Sequence, residues 1–68
     1  MKRWNNEKKM ELENNRIDLF LADILEVCDK HKLAISHEDG HGAFEIEEIN
    51  IHALNHLFNA NDKTGDEL

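Results

Sequence analysis

The run Ile35-Ser36-His37-Glu38-Asp39-Gly40-His41-Gly42-Ala43-Phe44-Glu45-Ile46 sets two short alternating segments around a centre rich in imidazoles, carboxylates and glycines. Asp39-Gly40 suits a tight primed turn, because glycine takes positive φ without a Cβ clash and aspartate tolerates it. The stretch therefore predicts an antiparallel hairpin with the chemistry at its tip. With the turn at Glu38 to Gly42, period-two alternation places Leu33, Ile35, His37, Phe44 and Ile46 on one face. Ala34, Ser36 and Glu45 fall on the other. The first face is expected to be the core face, with His37 at its rim.

Before the hairpin, Ile17, Phe20, Leu21, Ile24, Leu25, Val27 and Cys28 recur at steps of three and four without Gly or Pro. This predicts a helix from Ile17 to about Lys32, closed by the cations of Lys30-His31-Lys32. Extended backwards, Met10, Asn14, Ile17, Leu21, Ile24, Cys28 and His31 trace an a/d register with one polar residue, Asn14. Residues 1–15 then read as a polar helical extension. Trp4, flanked by Lys2, Arg3, Lys8 and Lys9, suits either a base-and-phosphate contact or a helix end packed on another subunit. A long helix outreaches one hairpin, so its stripe of Met10, Ile17, Leu21, Ile24 and Cys28 is expected to meet a second copy of the chain.

After the hairpin, Asn50 is an N-cap candidate for a short helix with Ile51, Leu54, Leu57 and Phe58 on its apolar face, stopping near Ala60. Residues 61–68 read as a disordered acidic tail. The expected fold is α+β in the order α-β-β-α: a long N-terminal helix, a two-stranded antiparallel hairpin and a short second helix. At 68 residues the core is small, and two strands alone are marginal, so a homo-oligomer is expected.

Cys28 is the only cysteine, which excludes an internal disulfide and suits a reducing compartment. No apolar run approaches the ~20 residues of a membrane span, and the N-terminus lacks the apolar core of a signal peptide. Residues 1–32 carry equal numbers of acids and bases, so the net charge of −7 sits entirely in residues 33–68, where Lys63 is the only base. That half repels a polyanion, which argues against DNA or RNA as the main partner and favours a basic protein surface.

Ser36, His37, Glu38, Asp39, Gly40, His41, Gly42 and Phe44 are the candidate ligand-binding residues. Gly40 and Gly42 free backbone N–H groups to approach an anion, while the imidazoles and carboxylates can bond a base edge or ribose hydroxyls. The plainer alternative for Glu38 to Gly42 is a polar turn. His52 and His56, four apart on the second helix, form with His37 and His41 a weak metal-ligand pattern. It lacks the His-Glu-x-x-His signature and a cysteine pair, so no metal or other cofactor is expected. No nucleophile stands beside a base: Ser36 and His37 are adjacent on a strand and point to opposite faces. A catalytic role is therefore not expected.

The Ser-His-Glu-Asp-x-His-Gly-Ala-Phe core, followed by an apolar-acidic strand and a short helix, resembles a family of small proteins encoded by bacteriophages of Gram-positive hosts. The resemblance covers about residues 23 to 60 and leaves residues 1–16 outside. Ala53 lies in the region where members of the family often carry tryptophan. The resemblance implies a phage origin and a host-cytoplasm setting. Small oligomeric phage proteins commonly counter host defence, and by that analogy the leading expectation is sequestration of a nucleotide-derived immune signal between subunits. The first alternative is an acidic protein that blocks a host defence or nucleic-acid enzyme by direct binding. The second is a metal-dependent hydrolase of the same signals.

Overall fold

The computed structural model describes residues 1–66. The element order is β1 (Lys2–Asn5), β2 (Met10–Glu13), α1 (Asn15–His31), β3 (Leu33–His37), β4 (Phe44–Glu48) and α2 (Ile51–Phe58). The fold is α+β, but in the order β-β-α-β-β-α, which corrects the α-β-β-α expectation. The two antiparallel hairpins form separate two-stranded sheets.

The helical extension expected over residues 1–15 is instead a hairpin, with Arg3 opposite Leu12 and Asn5 opposite Met10. Its turn begins at Asn5, whose side-chain oxygen accepts from the backbone N–H groups of Glu7 at 3.0 Å and Lys8 at 2.8 Å. This Asx geometry bends the chain where a helix would have continued. Lys9 then takes the left-handed conformation (φ 58°), and its N–H closes onto the Asn5 carbonyl at 2.9 Å. Opposite charges pair across the strands at Lys2 and Glu13.

α1 starts because Asn14 caps it: the residue is extended, and its Oδ1 accepts from the Ile17 N–H at 3.3 Å. It ends where Lys32 turns left-handed (φ 58°, ψ 36°) and donates its N–H to the Cys28 carbonyl. Asn50 caps α2 as expected, with Oδ1 2.9 Å from the Ala53 N–H. Asn14 is thus a buried cap, not a seam residue. Leu21 and Cys28 are buried within the chain and Met10 sits on β2, so the continuous Met10-to-Cys28 seam does not exist.

The hairpin register matches the alternation: Ile35 opposes Ile46 and His37 opposes Phe44. Its burial does not. Ala34 is the innermost strand residue, and the chain's apolar core is Leu21, Cys28, Ala34 and Ala53, where α1, α2 and β3 meet. Phe44 is 79% exposed and Ile46 65%, so most of the expected core face points outward. Two alanines allow α1, α2 and β3 to approach closely, and the larger aliphatic side chains are displaced to the edges. Ile51, expected on the inner face of α2, is likewise exposed, and Ala53 takes its place.

A second buried cluster is polar. Arg3, Asn5, Asn14 and Asp62 are all at most 3% exposed. Asp62 lies in the stretch expected to be a disordered tail, yet its N–H donates to the Trp4 carbonyl at 2.7 Å and its carbonyl accepts from Asn6 N–H at 2.8 Å. Asp62 therefore bridges to Asn5 at the open edge of β1 and satisfies backbone groups there. Residues 67 and 68 of that expected tail lie outside the described residues.

Candidate functional site

The tip of the β3–β4 hairpin is held by two backbone hydrogen bonds: Glu38 N–H to the Ala43 carbonyl at 2.8 Å and Gly42 N–H to the Glu38 carbonyl at 3.0 Å. The left-handed residue is Gly42 (φ 73°), not Gly40, so the two-residue primed turn at Asp39-Gly40 gives way to a wider loop. The backbone needs a glycine at 42. A Cβ there would also stand 3.8 Å from His37 Nε2, so Gly42 lies against the imidazole.

Around this loop the candidate residues divide. His37 meets Phe44 edge-on, ring centroids 5.7 Å apart at 80°. His41 Nδ1 is 2.8 Å from Glu38 Oε1, an exposed i,i+3 pair. Asp39 and Gly40 are exposed at the apex. Ser36 is half-buried on the other face, opposite Glu45. His37 and Phe44, and separately Glu38 and His41, are thus brought together, and Ser36 is turned away from His37. His52 and His56 are exposed on α2. Among the described residues no three His, Cys, Asp or Glu side chains gather around a point that could hold a metal ion.

All five β4 residues, Phe44-Glu45-Ile46-Glu47-Glu48, are exposed. Glu47 accepts from Asn50 Nδ2 at 2.7 Å, and Glu45 and Glu48 make no ion pair among the described residues. The strand therefore carries Glu45 and Glu47 on one face and Glu48 on the other, with no neutralising cation among the described residues. Two grooves lie elsewhere among the described residues. One, of about 290 Å³, is lined by Asn5, Leu12, Glu13, Asp62 and Asp66. The other, of about 180 Å³, is lined by Ile24, Val27, Cys28, His31, Leu33, Ala34, Ile35 and Ile46. No residue of the tip loop lines either one.

Sequence reasoning missed the buried polar cluster that fastens the N-terminal hairpin. Arg3 Nη1 donates to the carbonyls of Phe58 at 2.9 Å and Ala60 at 3.0 Å, capping the C-terminal end of α2, and Nη2 pairs with Asp18 on α1. Its guanidinium lies 5.7 Å from the centre of the Phe58 ring. Asp62 accepts from Asn14 Nδ2 at 3.0 Å and from the N–H and hydroxyl of Thr64 at 2.9 and 2.7 Å. The Asp62-Lys63-Thr64 spacing, an Asx-turn pattern, was the one available sequence signal.

These contacts hold the Asp18 carboxyl below its ordinary value of 3.8, first through Arg3 and then through the Met1 ammonium. Asp62 is also below 3.8, first through the Thr64 N–H and then Asn14. The Met1 ammonium is raised above 8.0, chiefly by Asp18. A depressed carboxyl means that the unfolded chain binds more protons, so the stability from Asp18 and Asp62 is complete above about pH 5 and is lost as pH falls through their folded values. The Met1 contribution is complete below its unfolded value of 8.0 and is lost as pH rises through its raised one. Urea unfolding followed across pH should show both declines. A flat profile on the acid side would remove the role given to these carboxylates.

No family model, curated protein or solved structure matches the chain. Among the described residues no helix is long and apolar enough to cross a membrane.

Proposed function

We propose that the chain acts by binding, as an acidic protein whose β3–β4 hairpin docks on a basic surface of a partner protein. The observation that carries this reading is β4, exposed at every position and presenting Glu45 and Glu47 on one face without a neutralising cation among the described residues. An unneutralised carboxylate pair attracts and orients a cationic partner, and the excess charge of this half speeds the encounter. The phage resemblance supplies the context: occlusion of a host defence or nucleic-acid enzyme in the host cytoplasm.

The second reading, sequestration of a small nucleotide-derived signal, is favoured by one observation. His37 with Phe44 offers a ring face and edge beside the Glu38–His41 pair, groups able to hold a base and hydroxyls. Against it stands enclosure. Small ligands are usually held with most of their surface buried, and the tip loop is open, so this reading needs walls from other subunits and cations for the phosphate.

Affinity capture from host lysate separates the two. At about 0.1 M salt the immobilised full chain is expected to retain a basic protein and to release it at about 1 M, where screening shortens from ~10 to ~3 Å. The Glu45→Lys, Glu47→Lys double variant should retain none. Unchanged capture by a folded double variant would overturn the docking reading.

A further inference from the structure

Beside the acidic pair lies a surface of opposite character. On α1, Phe20, Ile24, Val27 and His31 follow one another at steps of four, three and four, which is one stripe of a helix. Phe20 is 63% and Val27 54% exposed. The stripe continues across the 180 Å³ groove onto the sheet face that carries Leu33, Ile35, Ile46 and Phe44. The result is a contiguous apolar face contributed by one helix and two strands, each positioned by backbone hydrogen bonds. Such a patch on a small chain marks an interaction site.

We propose that this face is the interface of a homodimer, packed face to face between two copies of the chain. The area argues for a second copy. A folded monomer of this mass is expected to expose about 4,400 Å², whereas the chain exposes 5309 Å². The excess over the whole chain, roughly 900 Å², is of the size that burying one standard interface, ~800 Å² per partner, would remove. Charge selects the place. Two copies at −7 each repel, so they can meet only where carboxylates are sparse. Of the β3 and β4 carboxylates, only Glu48 shares this face, opposite Leu33 in the register, while Glu45 and Glu47 alternate to the other side. An isologous contact of an apolar face with itself needs no complementary partner.

Edge-to-edge pairing is the competing geometry, because β4 has a free edge. An antiparallel pair of β4 strands centred on Ile46 would set Glu45 directly opposite Glu47 of the other copy. Like charges directly opposite one another weaken such a ladder. Face packing avoids the clash and leaves Glu45 and Glu47 of both copies outward. The dimer then presents two copies of this carboxylate pair, and it stands on its own observations whether or not that pair docks on a basic partner.

Sedimentation velocity of the full chain at micromolar concentration tests the proposal, with helical circular dichroism confirming that each variant is folded. The wild type should sediment as about 16 kDa, two copies of a 7.9 kDa chain. Ile46→Lys and Val27→Lys sit on different elements at exposed positions, and each should weaken the dimer about 100-fold. Leu19→Lys, comparably exposed but about 110° around α1 from the stripe, should leave it intact. Val27→Lys supplies the reading if Ile46→Lys fails to fold. A monomeric wild type would overturn the proposal. So would a dimer that survives the folded lysine variants, or one that Leu19→Lys disrupts as strongly.

Discussion

Asn14→Leu is expected to destabilise the folded chain by about 3 kcal/mol, lowering its thermal midpoint by roughly 15 °C. Two losses combine. The side-chain oxygen that caps α1 disappears, typically worth ~1 kcal/mol. The side-chain nitrogen no longer bonds Asp62, and a branched aliphatic group is forced into a site with 0% exposure. The same substitution distinguishes this fold from a helical seam. An asparagine in an a/d stripe costs stability, so leucine there would strengthen the assembly. Urea unfolding of the two proteins decides the matter, and a variant more stable than the wild type would restore the long helix.

Arg3→Ala should cost a similar amount, about 3 kcal/mol. Its guanidinium closes the end of α2, pairs with α1 and is itself part of β1, so one side chain ties three elements together. Removal strands the Phe58 and Ala60 carbonyls at the helix end, where no other donor is present among the described residues. Arg3→Lys should recover less than half of the loss, because an ammonium cannot span two carbonyls and a carboxylate in the fixed fork of arginine. The acid-side fall in stability should also shrink in Arg3→Ala, since Asp18 loses its main partner. A variant as stable as the wild type would leave the N-terminal hairpin without the fastening described here.

The parts legible in the sequence were those governed by apolar periodicity or by a capping side chain. The β3–β4 register followed from alternation, α1 from its three- and four-residue steps, and α2 from Asn50. The N-terminal hairpin was not legible because its inward side chains, Arg3 and Asn5, are polar, and a hydrophobic pattern is blind to a core built from hydrogen bonds. Its Lys, Glu and Met content favours helix on propensity alone, a weak preference that Asn5 and Asp62 override through turn and edge contacts. The register also did not reveal which face is inside: Ala34 is buried for its small size, while Phe44 and Ile46 are exposed. At the tip, loop width moved the left-handed glycine from 40 to 42; of the candidate residues Asp39 and Gly40 sit at the apex, whereas Ser36 turns to the other face of β3.

The measurement that tests the functional account most directly is native mass spectrometry of the full chain recovered from host lysate, before and after a panel of cyclic dinucleotides and cyclic ADP-ribose isomers is added. The account predicts a chain that retains a basic protein in low salt, loses it in high salt, and gains no nucleotide mass from the panel. A nucleotide-sized mass retained on the chain, with no protein partner, would contradict it and assign the His37, Glu38, His41 and Phe44 tip to sequestration of the signal.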